Sequence, residues 1–464
     1  MTPFAASSAP GAANARLRRE IVATFALCWP IVLTNLAMNL MTTTDVMMLG
    51  WLSPEALAAG SLGFNLYLPM MLFCIGVVGA AAPIAAARIG ADGRDRQGVR
   101  RIGQQALISS LLLALPVWSI LWNAASILRA IGEPPDLAAN AGLYVHGLQW
   151  AVAPLLLSFS TRSIFAALNR TGAVLAASLI AVVFNALANY ALIFGHFGAP
   201  AWGIFGSGMA TSLSHLLMFS LLASYSFLDP RLRPVGLFSS LWRPHAASLA
   251  QLWRLGLPIG ATIAAEISVF SFSALAMGLI GPGSIEAHAI VIQIAATAFM
   301  VPLGLGQAAS VRVGHAFGAR DRAAVSLAGW TAFGMTMVFV AASAATMFAF
   351  PRLLISPFIA TEAPANAAVV ALALSFLRVA AIFQVFDGGQ AALANMLRGV
   401  HDSSWPMMMA LTGYWAIGMP IGLALGFLTP LRGLGLWIGL AVGLAAVALM
   451  LLGRWLGKER AGFF

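Results

Sequence analysis

The run Leu-Ala-Val-Gly-Leu-Ala-Ala-Val-Ala-Leu-Met-Leu-Leu, residues 440–452, contains no polar side chain. Strands of an outer-membrane barrel alternate apolar and polar residues, so this run and the shorter run 111–115 indicate helices instead. Of the 464 residues, 60% are apolar and 9% are charged, whereas an average soluble protein has about 25% charged residues. The mean hydropathy of +0.89 agrees. The composition therefore predicts an all-α integral membrane protein and excludes a soluble enzyme and a disordered or fibrous chain.

The number of helices follows from the supply of apolar residues and from the loops between them. A spanning helix needs about 20 residues, so twelve helices would use about 240–270 of the roughly 280 apolar residues in the chain. Charged residues and Pro/Gly clusters divide the apolar sequence into twelve runs. The predicted spans are 22–48, 57–84, 102–124, 138–163, 172–195, 205–228, 249–279, 287–314, 325–349, 366–397, 406–427 and 434–456.

The basic residues orient these helices. A net charge of +10 could indicate nucleic-acid binding, but an excess of Arg and Lys on the inner side is the expected pattern for a polytopic membrane protein. With the N-terminus inside, 21 of the 25 basic residues fall on the cytoplasmic side, leaving four outside: Arg129, Arg352, Arg378 and Arg432. We therefore expect a multi-pass protein of a bacterial inner membrane, with both termini cytoplasmic and no nucleic-acid partner. Residues 1–14 lack the basic region of a signal peptide, and we expect a disordered tail there.

The chain contains an internal repeat. A shift of 228 residues without gaps aligns Pro30 with Pro258 and Gly76 with Gly304. Because this shift spans six helices, both halves have the same orientation, an arrangement found in transporters whose substrate path lies between the halves. The predicted organisation is a cytoplasmic tail 1–20, an N-terminal six-helix bundle 21–228, a cytoplasmic linker 229–248, a C-terminal six-helix bundle 249–456 and a cytoplasmic tail 457–464.

Three acidic residues lie within the predicted spans: Asp45, Glu266 and Asp387. Ionisable residues inside a membrane are costly, at about 2.5–3.5 kcal/mol or more, and usually mark a functional site. Glu266 lies 12 residues after Arg254, about 18 Å along a helix. Asp387 lies 11 residues before Arg398, about 17 Å. Two acids at one depth can share a proton or bind a small cation, although each could instead cap a kink or bond a nearby hydroxyl.

Polar residues on other helices are available to Asp45. Asn185 and Asn189 are four residues apart, so their amides share one helix face. Thr211 adds a hydroxyl on the next helix. These residues could form a polar ligand site around Asp45, but isolated polar residues in spans also commonly hold helices together. Both interpretations remain open.

Pro30 and Pro258 lie inside helices 1 and 7, where a proline removes one backbone hydrogen bond. Each could mark a bend that helps its helix move or a static kink. The seven histidines show no metal-ligand spacing, and Cys28 and Cys74 lie in apolar runs. The sequence has no nucleophile triad, phosphate loop or zinc motif, so we expect neither an enzyme nor a cofactor beyond a coupling ion.

Taken together, four motifs resemble those of the multidrug and toxic compound extrusion (MATE) transporters, NorM-type branch, over nearly the whole chain. They are Met-Thr-Thr-Thr-Asp-Val-Met-Met-Leu-Gly (41–50), Gly-Leu-Pro-Ile (256–259) followed by Glu266, Phe-Gln-Val-Phe-Asp-Gly-Gly-Gln (383–390), and Asn-Ala-Leu-Ala-Asn-Tyr (185–190). The resemblance implies a V-shaped pair of six-helix lobes that lies in the lipid bilayer and exports cationic or amphipathic drugs in exchange for Na⁺ or H⁺. We expect a monomer.

The resemblance also implies roles for particular residues. In NorM-type relatives, the acids matching Glu266 and Asp387 form the cation site of the C-terminal lobe. The position matching Asp45 is linked to coupling, together with those matching Asn185, Asn189 and Thr211. We favour Na⁺ as the ion held by Glu266 and Asp387, with protons able to substitute. Aromatic faces would hold a positive drug, and we expect these to be Phe270 and Phe383.

Two departures from the family pattern concern polar contacts. Many relatives have Gln where this chain has Ala289, and some H⁺-coupled relatives have an acid where it has Asn189. The alternative function is a lipid-linked oligosaccharide flippase of the same superfamily. A flippase should carry several embedded Arg or Lys residues for pyrophosphate, and the predicted spans carry acids instead.

Overall fold

The computed structural model describes residues 10–239 and 245–464. Within these ranges, twelve helices are long and apolar enough to cross a membrane, which confirms the predicted number of spans. The twelve are α1 (Asn14–Leu52), α2 (Pro54–Ala91), α3 (Arg96–Trp122), α4 (Pro135–Ala167), α5 (Thr171–Phe194), α6 (Gly203–Leu228), α7 (Ala246–Ile280), α8 (Pro282–Gly318), α9 (Arg322–Ala349), α10 (Pro364–Gly399), α11 (Ser404–Leu428) and α12 (Gly433–Arg460).

The first and last helices extend beyond their predicted ends. Helix already begins at Pro10, so the disordered tail predicted for residues 1–14 is wrong for residues 10–14. Ala, Arg, Leu and Glu dominate the stretch that follows, and all four are strong helix formers. Residues 1–9 of that predicted tail lie outside the described ranges. At the other end, α12 runs four residues into the predicted tail 457–464, with Lys458 in its last turn, where a cation interacts favourably with the helix dipole.

Three of the helices are interrupted. Helix α2 breaks at Ala80, between Pro54–Gly79 and Ala81–Ala91. A short 3₁₀ turn, Gln149–Ala151, divides α4. In α11 the backbone of Thr412–Gly418 widens into a π-helix, a feature often found at functional sites.

The linker between α6 and α7 folds against the bundle. Its described part, residues 229–239, contains the 3₁₀ turn Arg233–Val235, and Val235 is buried beneath the helices. The Tyr225 hydroxyl donates to Asp229 at 2.7 Å. This bond, together with the backbone N–H of Arg231, lowers the pKa of Asp229. Residues 240–244 of the predicted linker lie outside the described ranges.

Contacts between the lobes occur in pairs that are related by the 228-residue repeat. A methyl group added to Gly76 would lie 2.6 Å from the Cα of Gly260, and one added to Gly304 would lie 2.5 Å from Cγ2 of Val32. Adding 228 to 76 gives 304, and subtracting 228 from 260 gives 32, so these two contacts are counterparts. The first contact joins α2 to α7, and the second joins α8 to α1. The structure is therefore two pseudo-symmetric bundles with tightly packed glycines at matching positions between them.

Polar contacts between the lobes gather where the helices meet the arginine-rich loops. Among the described residues, the strongest is the ion pair of Glu20 on α1 with Arg312 on α8, with N–O distances of 2.9 and 2.5 Å. Further interlobe bonds join the ring nitrogen of His315 to the carbonyl of Ala167 at 2.9 Å, and the indole N–H of Trp253 to Ser109 at 2.9 Å. The lobes are thus closed against each other on the arginine-rich side.

Candidate functional site

In the N-terminal lobe, three helices surround the carboxylate of Asp45 on α1. Asn185 and Asn189 of α5 both donate from Nδ2 to Oδ1 of Asp45, at 3.1 and 2.7 Å. Thr211 of α6 donates to Oδ2 at 2.6 Å. All four residues are buried. The structure therefore brings together every member of the N-lobe site that the sequence suggested.

This arrangement suits an anionic carboxylate. Three donors on one carboxylate offset much of the cost of burying a charge, because hydrogen bonds to charged groups are the strong ones. The amide oxygens of Asn185 and Asn189 are buried and have no hydrogen-bond partner among the described residues. The site thus offers two unused acceptors beside an anion. Thr43 and Thr44 lie outside it, because their hydroxyls donate to carbonyls of their own helix.

In the C-terminal lobe, Glu266 of α7 and Asp387 of α10 meet at one side chain. The Nε2 atom of Gln390 lies 3.5 Å from Oε1 of Glu266 and 3.3 Å from Oδ1 of Asp387. The Tyr414 hydroxyl donates to Oε1 of Gln390 at 2.6 Å and fixes the orientation of the amide. Asp387 is buried and Glu266 is half-buried. The two acids lie at one depth, as counting along the helices predicted, but an amide joins them rather than direct contact.

A small cavity of about 10 Å³ lies beside Glu266. That volume admits the centre of about one water molecule, so one water or one small cation fits. Tyr414 and Gly418, both from the π-helical segment of α11, form part of its wall. The widened backbone therefore carries the residue that holds Gln390 in place.

Sequence reasoning did not assign a role to Gln390 or Tyr414. Gln390 lies three residues after Asp387, so the helical period could have placed both on one face. Nothing in the apolar sequence around Tyr414 signals its role, because the contact depends on how α11 packs and widens.

Comparison with known proteins identifies the family. A family model described as MatE matches residues 30–191 and 258–423, and the two matches begin at Pro30 and Pro258, the pair that the repeat aligns. A "Probable multidrug resistance protein NorM" of Mesorhizobium japonicum is 48% identical over 443 residues, covering 96% of this chain and 95% of that protein. The chain belongs to the MatE family. Its MATE relatives are transporters, and this protein is a transporter rather than an enzyme.

Other similarities agree with this assignment. A "Probable multidrug resistance protein NorM" of Brucella suis is 42% identical and covers 95% of this chain and 93% of that protein. The crystal structure of the eukaryotic MATE transporter AtDTX14 superimposes with a TM-score of 0.83 at 21% identity, covering 96% of this chain and 98% of that one. A structure titled "Crystal structure of MATE in the bent conformation" gives a TM-score of 0.85 at 20% identity, covering 96% and 97%. These structural matches confirm the MATE fold.

The aromatic residues predicted to line the substrate path of this MATE protein divide between two places. Phe383 is 1% exposed and packs within the C-terminal lobe, with its ring 5.6 Å from Trp437 and 6.0 Å from Phe270. Phe383 is thus buried inside the lobe in this structure, and its place on the substrate path stays a prediction. Phe270 is half-buried and borders the cavity beside Glu266.

The polar side chains near Glu266 and Asp387 show which ligands a bound cation could use. The described residues contain no group of three or more His, Cys, Asp or Glu that could hold a metal ion. The Nε2 of Gln390 faces the acids and its Oε1 accepts the Tyr414 hydroxyl, so a cation would depend chiefly on the two carboxylates. The hydroxyl of Ser268 is engaged, donating to the carbonyl of Ala265 at 2.8 Å. Ser273 and Gln384 are buried with side-chain polar atoms that find no partner among the described residues.

Both prolines lie inside continuous helices. Pro30 is buried in α1, and Pro258 lies in α7. The carbonyl of Pro258 accepts a hydrogen bond from the Thr262 hydroxyl at 2.8 Å, while the repeat counterpart of Thr262, Thr34, has no side-chain partner. Whether either proline bends during transport stays a prediction.

Proposed function

We propose that this MATE protein is a secondary active antiporter that exports cationic or amphipathic organic compounds in exchange for Na⁺ or H⁺. The observation that carries the proposal is the Gln390 amide joining Glu266 and Asp387 in an otherwise apolar bundle. Two carboxylates that share one amide, one of them (Glu266) bordering a cavity of about one water, attract a cation. The name "multidrug resistance protein" of relatives up to 48% identical supports organic drugs as the exported class.

Exchange follows if ion and drug bias the same conformational equilibrium in opposite directions. With the arginine-rich face inside, the lobes in this structure are closed towards the cytoplasm, and external ions have access from the other side. A cation that neutralises Glu266 and Asp387 weakens the attraction for a positive drug, which leaves. Separation of Glu20 from Arg312 opens the cytoplasmic side, where a new drug displaces the ion.

The N-lobe site gives Asp45 a supporting part in coupling. Its carboxylate is held by Asn185, Asn189 and Thr211, so a change in its charge alters contacts between α1, α5 and α6. Because α1 also carries Glu20, such a change reaches the interlobe ion pair through one helix.

We favour Na⁺ as the coupling ion, with protons able to substitute. Carboxylate and amide oxygens are ligands for hard cations, and the pair has the Gln390 amide beside it. Two neighbouring carboxylates also tend to share a proton, which is the argument for H⁺.

The deciding experiment is ethidium efflux from proteoliposomes at symmetrical pH 7.5. We expect external Na⁺ to stimulate efflux of preloaded dye, with a smaller response to an inward proton gradient. No stimulation by Na⁺ together with full efflux in the proton gradient would assign the coupling to H⁺. Absence of efflux under both gradients would contradict the antiporter proposal itself.

The placement of the protein follows the positive-inside pattern. We propose a bacterial inner-membrane location with both termini cytoplasmic, the lobes divided by the linker 229–248, and a monomer embedded in the lipid bilayer. The sorting of 21 of 25 basic residues to one side supports this orientation.

The flippase alternative has less support. A lipid-linked pyrophosphate needs several cations in the interior, whereas Asp45, Glu266 and Asp387 place three carboxylates in the interior of the described helices, where Arg162 is also found.

A further inference from the structure

Arg162, near the end of α4, lies where the two lobes meet. Its Nη2 donates to Oδ1 of Asn35 on α1 at 3.0 Å and to Oε1 of Gln307 on α8 at 3.3 Å. The guanidinium also stacks over the ring of Phe159, 4.7 Å from its centroid. One nitrogen thus contacts both lobes through neutral amide oxygens.

No carboxylate neutralises this guanidinium. All 15 Asp and Glu residues lie within the described ranges, and none forms an ion pair with Arg162 within 4.0 Å. Arg312, five residues beyond Gln307 on α8, shows the contrast, since Glu20 pairs with it through two bonds. A charge without a counter-ion inside a bundle is costly, so such a residue is rarely retained for packing alone.

The guanidinium keeps donors to spare. Its Nε and Nη1 donate to no described atom. Both nitrogens also keep some exposed surface. Its neighbours Asn35 and Gln307 come from opposite lobes, so Nη2 places the guanidinium at the junction between the lobes. A planar fork of N–H donors next to an aromatic face matches the geometry of a carboxylate.

We propose that Arg162 binds the anionic group of zwitterionic substrates and so determines specificity for them. The inference rests on the proposed export function. A compound with both charges would place its positive group towards the acidic residues of the lobes and its carboxylate against Arg162. The Asn35 and Gln307 amides hold the guanidinium without neutralising it, which leaves its charge for the ligand.

The test uses two dyes that differ in one group. Rhodamine 123 is a cationic methyl ester, and rhodamine 110 is the corresponding carboxylic acid, a zwitterion at neutral pH. Binding of each dye to the purified full-length transporter in nanodiscs is measured by fluorescence polarisation. The readout is the ratio of the two dissociation constants, which a purely structural role of Arg162 would not change selectively.

We expect Arg162→Gln to weaken rhodamine 110 binding relative to rhodamine 123 by at least about tenfold, the usual effect of losing a charged hydrogen bond. Arg162→Lys keeps the charge but loses the planar fork, and should fall between wild type and Gln. Gln307→Glu leaves the arginine in place and sets a carboxylate against it. That variant should also weaken rhodamine 110 binding relative to rhodamine 123 binding. It decides the question if Arg162→Gln does not fold.

Arg129→Gln is the matched control, since Arg129 is an exposed arginine of the same lobe, and its ratio should equal that of wild type. An unchanged ratio in Arg162→Gln and Gln307→Glu, with both dyes still bound, overturns the inference and leaves the proposed function standing. If wild type binds and exports neither dye, the proposed function fails and the inference with it.

Discussion

In the N-terminal lobe one carboxylate receives three hydrogen bonds of 2.6–3.1 Å, whereas in the C-terminal lobe two carboxylates share one amide at 3.3 and 3.5 Å. Asp45 is therefore a satisfied anion. Glu266 and Asp387 retain unused acceptor capacity, and a cavity of about one water lies beside Glu266. This difference is why we propose that ion binding belongs chiefly to the C-terminal lobe and that the N-terminal lobe has a supporting role.

The repeat shows that this difference is not imposed by the scaffold. A shift of 228 residues places Met38 opposite Glu266 and Ser273 opposite Asp45. The glycine contacts between the lobes are preserved under the same shift, as Gly76 and Gly304 demonstrate. The duplicated fold has thus kept its backbone packing while each half acquired its acids at its own depth.

The largest effect is expected from neutralising the C-lobe pair. Glu266→Gln and Asp387→Asn should each abolish ethidium extrusion in proteoliposomes, because one remaining carboxylate cannot hold the ion as two do. Membrane abundance should stay near wild type, since an amide replaces a carboxylate of the same shape.

The control for this pair is Glu362→Gln. Glu362 has a side chain that is 86% exposed and lies 3.8 Å from Arg352, a surface ion pair of little energetic value. Extrusion by this variant should match wild type. Retained extrusion in both Glu266→Gln and Asp387→Asn would show that the ion is bound elsewhere.

A smaller effect is expected in the N-terminal lobe. Thr211→Ala removes the 2.6 Å bond to the Asp45 carboxylate, at a cost of about 1.5–3 kcal/mol for a hydrogen bond to a charged group. We expect a lower thermal unfolding temperature and extrusion that is reduced but measurable. Asp45→Asn should also leave partial extrusion.

One outcome would contradict the proposed division of roles between the two lobes. If Asp45→Asn abolishes extrusion as completely as Glu266→Gln, at unchanged thermal stability, then the N-lobe carboxylate is itself an ion site rather than a supporting one. Measuring both variants in one preparation, with ethidium efflux and unfolding temperature side by side, separates these cases.

The sequence predicts all of the spans but only some of the site residues, for different physical reasons. Apolar runs set where helices cross a membrane, so all twelve were found, with errors only at their ends. Asn185 and Asn189 were identifiable because their spacing places both amides on one face. The packing of Phe383 against Trp437 could not be read from the sequence, because it depends on how α10 and α12 pack together. Tyr414 went unassigned because its position depends on the π-helix, which arises from packing.

The smallest expected effect tests whether the contact of Gln390 with Glu266 and Asp387 depends on the Tyr414 hydroxyl. Tyr414→Phe removes the hydroxyl that donates to Gln390 at 2.6 Å. A neutral hydrogen bond contributes about 0.5–1.5 kcal/mol, so the apparent affinity for the coupling ion should fall about two- to tenfold, with maximal efflux little changed. Tyr67→Phe is the matched control in the other lobe, because the hydroxyl of Tyr67 is buried without a partner among the described residues. Its loss should leave ion affinity unchanged. Equal ion affinities in the two variants would mean that the Gln390 amide bridges Glu266 and Asp387 without help from α11, and that the π-helix serves packing alone.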